Sequence, residues 1–203
     1  MAGNFAAFFE DVMSIISGTA SSLMGTYQQV ASYRHKVFVE NLGWDLRSPN
    51  GREQDQFDRP DTIYVAARDD EGEICGCARL LPTTRTYLLS EVFPQLLNGL
   101  APPSSPDVWE LSRFATVDFN SPDRSPLRQM SSDIAIDLMQ AAIDYASKQG
   151  AKRLIAVTPL GVERLLRNAG FKAHRAGPPM KIDGHLIFAC WIEVSDTVSS
   201  RPV

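Results

Sequence analysis

The chain has 203 residues, enough for one domain with a core of its own. Its formal net charge of −4 gives no ground for a nucleic-acid binder, and no apolar run reaches the roughly 20 residues that a membrane-spanning helix needs. Three cysteines, Cys75, Cys77 and Cys190, make no disulfide framework, and no Cys/His cluster completes a metal site, so no metal is expected.

In "NFAAFFEDVMSIISGTASSLM", Phe5, Phe8, Phe9, Val12, Met13, Ile15 and Ile16 recur at helical spacing, so residues 1–32 are expected to be a helical N-terminal segment. Arg34 is the first basic residue, which leaves no positive region for a secretory signal, and the expected location is cytoplasmic. "YRHKVFVENLGW" places Arg34 and Phe38 on one helix face, with Trp44 at the exit. Residues 47–61 are polar and turn-rich, a loop that carries Asp55 and Asp58. Strands are expected at 62–69 and 74–81, joined by the turn "DEGE". Alternation puts Cys75 and Cys77 on one face, as small buried side chains. A short helix at 88–97 precedes a strand, "VWELSRFAT", at 108–116.

The clearest helix covers 131–150, capped by Ser131 or Ser132 and closed by Gly150. A strand at 152–159, a helix at 161–170 and a strand at 185–194 follow, and 196–203 is expected to be a flexible tail. The order is helices, a β-meander, then α-β-α-β. That predicts an α/β protein, a three-layer α/β/α sandwich on a mixed sheet with at least one parallel pairing, as a single domain over 1–203.

The charges sit in unexpected places. Glu110, Ser112 and Arg113 fall within four positions of a strand, and Arg79 interrupts the apolar run "CGCARLL". Singly, each has a plain explanation as a solvated, turn or edge-strand charge. Together with Arg34, Asp55 and Asp58 they suggest a paired network in a cleft. Such a network suits a zwitterionic, cationic ligand. Carboxylates hold an ammonium or sulfonium, guanidiniums hold a carboxylate, and Phe38 or Trp44 faces the positive centre. In a regular strand Glu110 and Arg113 face opposite sides, so a shared site requires a bulge or twist.

"YRHKVFVENLGWDL", "EQDQFD", "GCARLLPTT", "EVFPQLL" and "WELSRFA" occur in the order seen in acyl-homoserine lactone synthases, and the chain resembles that family from about Tyr33 to about Trp191. The resemblance implies a sandwich related to the GNAT acetyltransferases. It also implies synthesis of a quorum-sensing lactone from S-adenosylmethionine, a substrate and not a cofactor, so that no cofactor is expected. Acyl carrier protein is the implied donor, with acyl-CoA a less favoured one. Glu110 would be the general base, with Ser112 and Arg113 completing the catalytic set. Arg34, Phe38, Trp44, Asp55, Asp58, Arg79 and Phe114 would hold S-adenosylmethionine. Leu111, Ala156, Val157 and Thr158 would border the acyl chain, the small Ala156 favouring one unsubstituted at its third carbon. The backbone from Leu111 to Phe114 would donate to the thioester oxyanion. Family members open with a strand, so a helical segment ahead of "YRHKVF" would be a departure.

Between Lys148 and Lys181 basic residues dominate an otherwise acidic chain. Lys148, Lys152, Arg153, Arg164 and Arg167 are either solvated helix charges or a docking surface for an acidic carrier protein. The alternative enzyme is a GNAT-type N-acyltransferase that uses acyl-CoA on another amine. It would need a glycine-rich pyrophosphate loop, and "VTPLGVERL" offers one glycine. A silent S-adenosylmethionine-binding protein is the third reading.

Overall fold

The structure is a computed structural model that describes residues 13–119 and 132–194. Its elements in order are β1 (Ser14–Thr19), α1 (Gly25–Arg34), a π-helical turn (His35–Asn41), β2 (Ile63–Arg68), β3 (Ile74–Pro82) and α2 (Leu88–Val92). Then come β4 (Val108–Ala115), α3 (Asp133–Lys148), β5 (Arg153–Pro159), α4 (Val162–Asn168), β6 (Ala173–Arg175), β7 (Met180–Ile182) and β8 (His185–Glu193). Among the described residues the strands form one sheet in the order β1-β2-β3-β4-β5-β8-β6, with β7 also on β8. The β4–β5 pair is parallel, and its neighbours β3–β4 and β5–β8 are antiparallel, so the expected mixed sheet is present.

The N-terminal expectation is corrected. Residues 14–19 are a strand that pairs with β2 from Ser14↔Arg68 to Thr19↔Ile63. Ile15 and Ile16 are β-branched, Gly18 and Thr19 are poor helix formers, and the edge of β2 supplies backbone partners. The two isoleucines pack into cores on opposite faces of the sheet, as a strand requires and a helical stripe does not. The described chain thus has a strand ahead of α1, where the sequence led one to expect a helix. Residues 1–12 and the tail expected at 196–203 lie outside the described residues.

One face of the sheet is covered by α3 and α4. Leu138, Met139, Ala142, Ile143 and Ala146 of α3 and Val162 and Leu166 of α4 pack on Val65, Ala78, Leu80, Leu111, Leu154, Phe188 and Ile192. α3 starts where the Ser132 hydroxyl accepts the Ala135 N–H at 3.2 Å. The other face carries two apolar clusters. Val30, Tyr33, Val37 and Phe38 lie over Tyr64, Ala66, Cys77 and Ala115, while Phe57, Tyr87, Leu89, Leu96 and Leu97 lie over Leu81, Val108, Ile155 and Ala189. The charged residues of β3 and β4 belong to neither cluster.

Two irregularities decide what the sheet exposes. Between β2 and β3 the register shifts from Ala67↔Gly76 to Arg68↔Ile74. That extra residue turns Cys75 towards α3 while Cys77 faces α1, so the expected shared face is wrong, although both thiols are buried and free. Between β3 and β4 the register jumps from Arg79↔Ser112 to Cys77↔Ala115, which leaves one more residue on β4 than on β3. Arg113 takes it up with φ of 52°. The strands β4 and β5 pair only from Val108↔Arg153 to Leu111↔Ala156. Beyond that point β4 stays with β3 and β5 stays with β8, so the middle of the sheet splays open.

Candidate active site

Loop 52–61 lies against α1, held where Glu53 N–H donates to Ala31 O at 3.0 Å. It delivers three carboxylates, Glu53, Asp55 and Asp58, to three guanidiniums from separate elements: Arg34 of α1, Arg79 of β3 and Arg113 of the β4 bulge. Arg34 Nε donates to Glu53 Oε2 at 2.5 Å, and its two terminal nitrogens fork onto Asp58 at 2.7 and 3.0 Å. Arg79 Nη1 donates to Asp55 Oδ1 at 2.6 Å and to Asp58 Oδ1 at 3.2 Å, while its Nε donates to the Ser112 hydroxyl at 3.0 Å. Arg113 Nη2 donates to Glu53 Oε1 and to Asp55 Oδ2, both at 2.9 Å. Three positive and three negative groups balance, so each charge taken out of water has a partner.

The network has an inside and an outside. The side chains of Arg34, Glu53, Arg79 and Asp58 are 1%, 1%, 0% and 3% exposed, whereas Asp55 keeps 15% and Arg113 6%. Asp55 and Arg113 thus form the outer edge of the network, and the other four groups lie behind them. Burial alone would raise the Asp58 carboxyl, but Arg34 and then Arg79 outweigh it and hold it well below the usual carboxylate range. The same partners, Asp58 and Glu53, overcome the desolvation of Arg34 and keep it firmly charged.

An aromatic wall continues from the outer rim. The Arg113 guanidinium lies 5.6 Å from the Phe38 ring centroid, and Phe38 stacks on Trp44 at 5.1 Å with 24° between the planes. Trp44 is 38% exposed, so the wall ends open to solvent. The π-helical turn makes this possible. Its wider coil swings the chain so that Trp44 N–H donates to Phe38 O at 2.9 Å, which stations the two rings together.

Glu110 stands apart from the ion pairs. It is buried, and its carboxyl oxygens accept the N–H groups of Leu88 at 3.1 Å and Leu89 at 2.7 Å, at the start of α2. Burial pushes its pKa up to about 7; the N–H of Leu89, Arg79, the N–H of Leu88 and Arg113 oppose that rise. An acid poised there is half ionised near neutral pH, the condition suited to proton transfer.

Of the residues expected at the acyl chain, Leu111 and Ala156 form the last β4–β5 pair and face α3 and α4, and Thr158 pairs with Phe188 on the same face. Val157 packs on the opposite face. Phe114, expected among the S-adenosylmethionine contacts, instead packs on the α3 side. There it lines a narrow apolar crevice with Ile136, Met139, Leu165, Leu166 and Phe171, just past the splay. Sequence reading missed these α3 and α4 residues, whose helical stripe marks them only as core. It also missed Glu53, which stands in the quoted run "EQDQFD" but looks like any polar loop residue. A hollow of about 340 Å³ between α1 and the turn that joins β2 to β3, lined by Ser32, Tyr33, Lys36, Arg52, Glu73 and Val117, contains none of the predicted residues.

The basic residues do not form one patch. Lys148, Lys152 and Arg153 lie at the paired end of β5, where Arg153 stacks 4.4 Å from the Trp191 ring and Lys152 meets Asp107 at 3.0 Å. Arg164 is on the first turn of α4, beyond the splayed end of β5, and Arg167 pairs with Glu163 at 3.6 Å. A strand of seven residues separates the two groups by about 20 Å.

Fold and site together define an acyltransferase of GNAT-like architecture, with a splayed sheet and a buried network of ion pairs beside the splay. The autoinducer synthase family model matches residues 21–201. The acyl-homoserine-lactone synthase of Acinetobacter nosocomialis is 57% identical over 183 residues, 90% of this chain and 100% of that one. The crystal structure of TofI in a ternary complex with an inhibitor and MTA superposes with a TM-score of 0.76 at 46% identity, covering 89% of this chain and 91% of TofI. That of BjaI, a CoA-dependent acyl-homoserine lactone synthase with SAM and isopentyl-CoA, gives 0.77 at 29% identity, covering 92% and 84%. The chain belongs to the autoinducer synthase family, and its activity is that of an acyl-homoserine-lactone synthase, an acyltransferase. No helix among the described residues is long and apolar enough to cross a membrane.

Proposed function

We propose that the enzyme acylates the amine of S-adenosylmethionine with an acyl group delivered by acyl carrier protein and then closes the lactone. The observation that carries this reading is the balanced network whose least buried members, the carboxylate of Asp55 and the guanidinium of Arg113, lie beside the Phe38–Trp44 wall. That rim matches an amino acid with an ammonium, a carboxylate and a sulfonium. Arg79 Nη2, buried without a hydrogen-bond partner, is a further donor in the same network. The methylthioadenosine and S-adenosylmethionine named in the relatives' complexes agree with this substrate.

In the proposed sequence Glu110, with its pKa near neutrality, takes a proton from the substrate ammonium, directly or through water. The free amine attacks the thioester carbon where β4 and β5 part. The carbonyl oxygen gains charge, the carbon–sulfur bond breaks, and the thiol leaves with a proton. The methionyl carboxylate then attacks its own γ-carbon, displaces neutral 5′-methylthioadenosine and closes the ring, so the sulfonium charge is consumed. The acyl chain enters where β4 and β5 part, on the α3 side of the sheet that carries Leu111, Ala156 and Phe114.

The carrier approaches the splayed end of the sheet. Of the basic residues, Arg164 is placed there, whereas Lys148, Lys152 and Arg153 lie at the far end. Both substrates belong to the cytoplasm, and we place the reaction there. Incubation of the purified protein with S-adenosylmethionine and either acyl carrier proteins or acyl-CoAs tests the reading. Methylthioadenosine and lactone, formed faster from the carrier, support it; faster turnover of the CoA ester assigns BjaI-like donor use instead.

A further inference from the structure

Tyr64 has no place in the chemistry described so far, yet it is buried against the centre of the network. It lies on β2, and its hydroxyl donates to Asp58 Oδ1 at 2.8 Å. That oxygen also receives Arg34 Nη1 at 2.7 Å and Arg79 Nη1 at 3.2 Å. Arg79 Nη1 is shared: its shorter contact, 2.6 Å, is to Asp55 Oδ1. Asp58 and Asp55 thus compete for one nitrogen, and the tyrosine hydroxyl supplies Asp58 with a donor that lets Arg79 lean towards Asp55.

The tyrosine is itself fixed from the loop that carries these acids. Tyr27 of α1 packs on the Tyr64 ring at 4.9 Å, and Gln54 Nε2 donates to the Tyr27 hydroxyl at 3.0 Å. Gln54 lies between Glu53 and Asp55. The contacts therefore form a closed circuit, from the loop through Tyr27, Tyr64, Asp58 and Arg79 back to Asp55. Burial and then the Asp58 charge raise the Tyr64 hydroxyl above its ordinary range, so it stays protonated and remains a donor.

We propose that Tyr64 is a positioning residue for substrate binding: by donating to Asp58 it frees Arg79 to orient Asp55, the acid that receives the substrate ammonium. The proposal rests on the reading of this network as the S-adenosylmethionine pocket. Tyr64→Phe removes the oxygen that meets Asp58 and leaves the ring in the apolar cluster it shares with Tyr33, Val37 and Ala66, so the ring's packing is preserved. The expected effect is a rise in KM for S-adenosylmethionine of about tenfold, the size expected for a lost hydrogen bond to a charged group. KM for the acyl donor and kcat should each change by less than about twofold. In an Asp58→Asn background the same substitution should add less than about twofold, because two residues acting through one contact do not combine independently.

A crystal structure of the Tyr64→Phe enzyme without substrate gives a readout that does not depend on the substrate's identity. Arg79 Nη1 should leave Asp55 and close on Asp58. Arg79 unmoved overturns the positioning role whatever the enzyme binds. So do equal rises in both KM values, and effects of Tyr64→Phe and Asp58→Asn that multiply. A wild-type enzyme that does not bind S-adenosylmethionine overturns the pocket reading instead, and the position of Arg79 then decides the role of Tyr64.

Discussion

Ser112 and Arg113 are adjacent in β4, yet both side chains serve the same face of the sheet, one accepting from Arg79 and the other forking onto Glu53. A flat strand cannot do this. The extra residue and the positive φ at Arg113 turn its side chain back, so one short stretch supplies the buried acid Glu110, the hydroxyl and the guanidinium to one site. Arg113→Lys keeps the charge but cannot fork onto Glu53 and Asp55 together. It should lower kcat/KM for the sulfonium substrate by about tenfold or more while the fold is retained, read by steady-state kinetics beside circular dichroism. Normal kinetics would show that the fork is dispensable.

Asp58 is held ionised by Arg34 and Arg79, and its folded-state pKa lies below the unfolded value. Its contribution to stability is therefore complete above the ordinary carboxylate pKa and is lost as pH falls below it. Asp58→Ala leaves two buried guanidiniums short of a partner and should cost about 3–5 kcal/mol. Denaturant unfolding near neutral pH measures this, and the wild-type advantage should shrink in acid.

Glu110 behaves in the opposite sense. Its folded pKa of about 7 lies above the unfolded value, so the folded state keeps the proton longer and ionisation costs stability as pH rises towards 7. Activity needs the ionised form and should climb through the same region. Glu110→Gln should lower turnover by roughly 10²-fold and abolish that limb of the pH–rate profile. A variant with the same profile as wild type would mean that another group sets it.

Gly177 occupies a place where the chain passes close to the turn after α2. A Cβ there would lie 2.0 Å from Leu96 O, a backbone atom that cannot swing aside. Gly177→Ala should therefore destabilise the protein by about 1–3 kcal/mol, visible as a lower Tm, with KM for S-adenosylmethionine unchanged.

How far the sequence foretold this structure depended on whether local pattern or pairing decided the matter. The stripe of Leu138, Ala142 and Tyr145 and the alternation of Ile63, Val65 and Ala67 sufficed for α3 and β2. Arg34, Asp55, Asp58, Arg79 and Arg113 stood out because charges at apolar positions need partners, and the structure brings all five together. Ile15 and Ile16 misled, because their spacing suits a helix and only the open edge of β2 makes them a strand. The bulge that parts Cys75 from Cys77 is a matter of register between two strands and leaves no trace in either alone. β6 and β7 are three residues each, too short for a periodic signal. Glu53 went unnoticed for a related reason: burial is what distinguishes it, and a polar loop does not announce burial.

The central claim is that Asp55, at the exposed rim of the network, grips the ammonium of S-adenosylmethionine. Calorimetric titration of S-adenosylmethionine into wild type and Asp55→Asn, without acyl donor, tests it most directly. Loss of a charge-assisted contact should weaken binding by about tenfold or more in the variant, with the fold intact. Equal affinity in the two proteins would contradict the account.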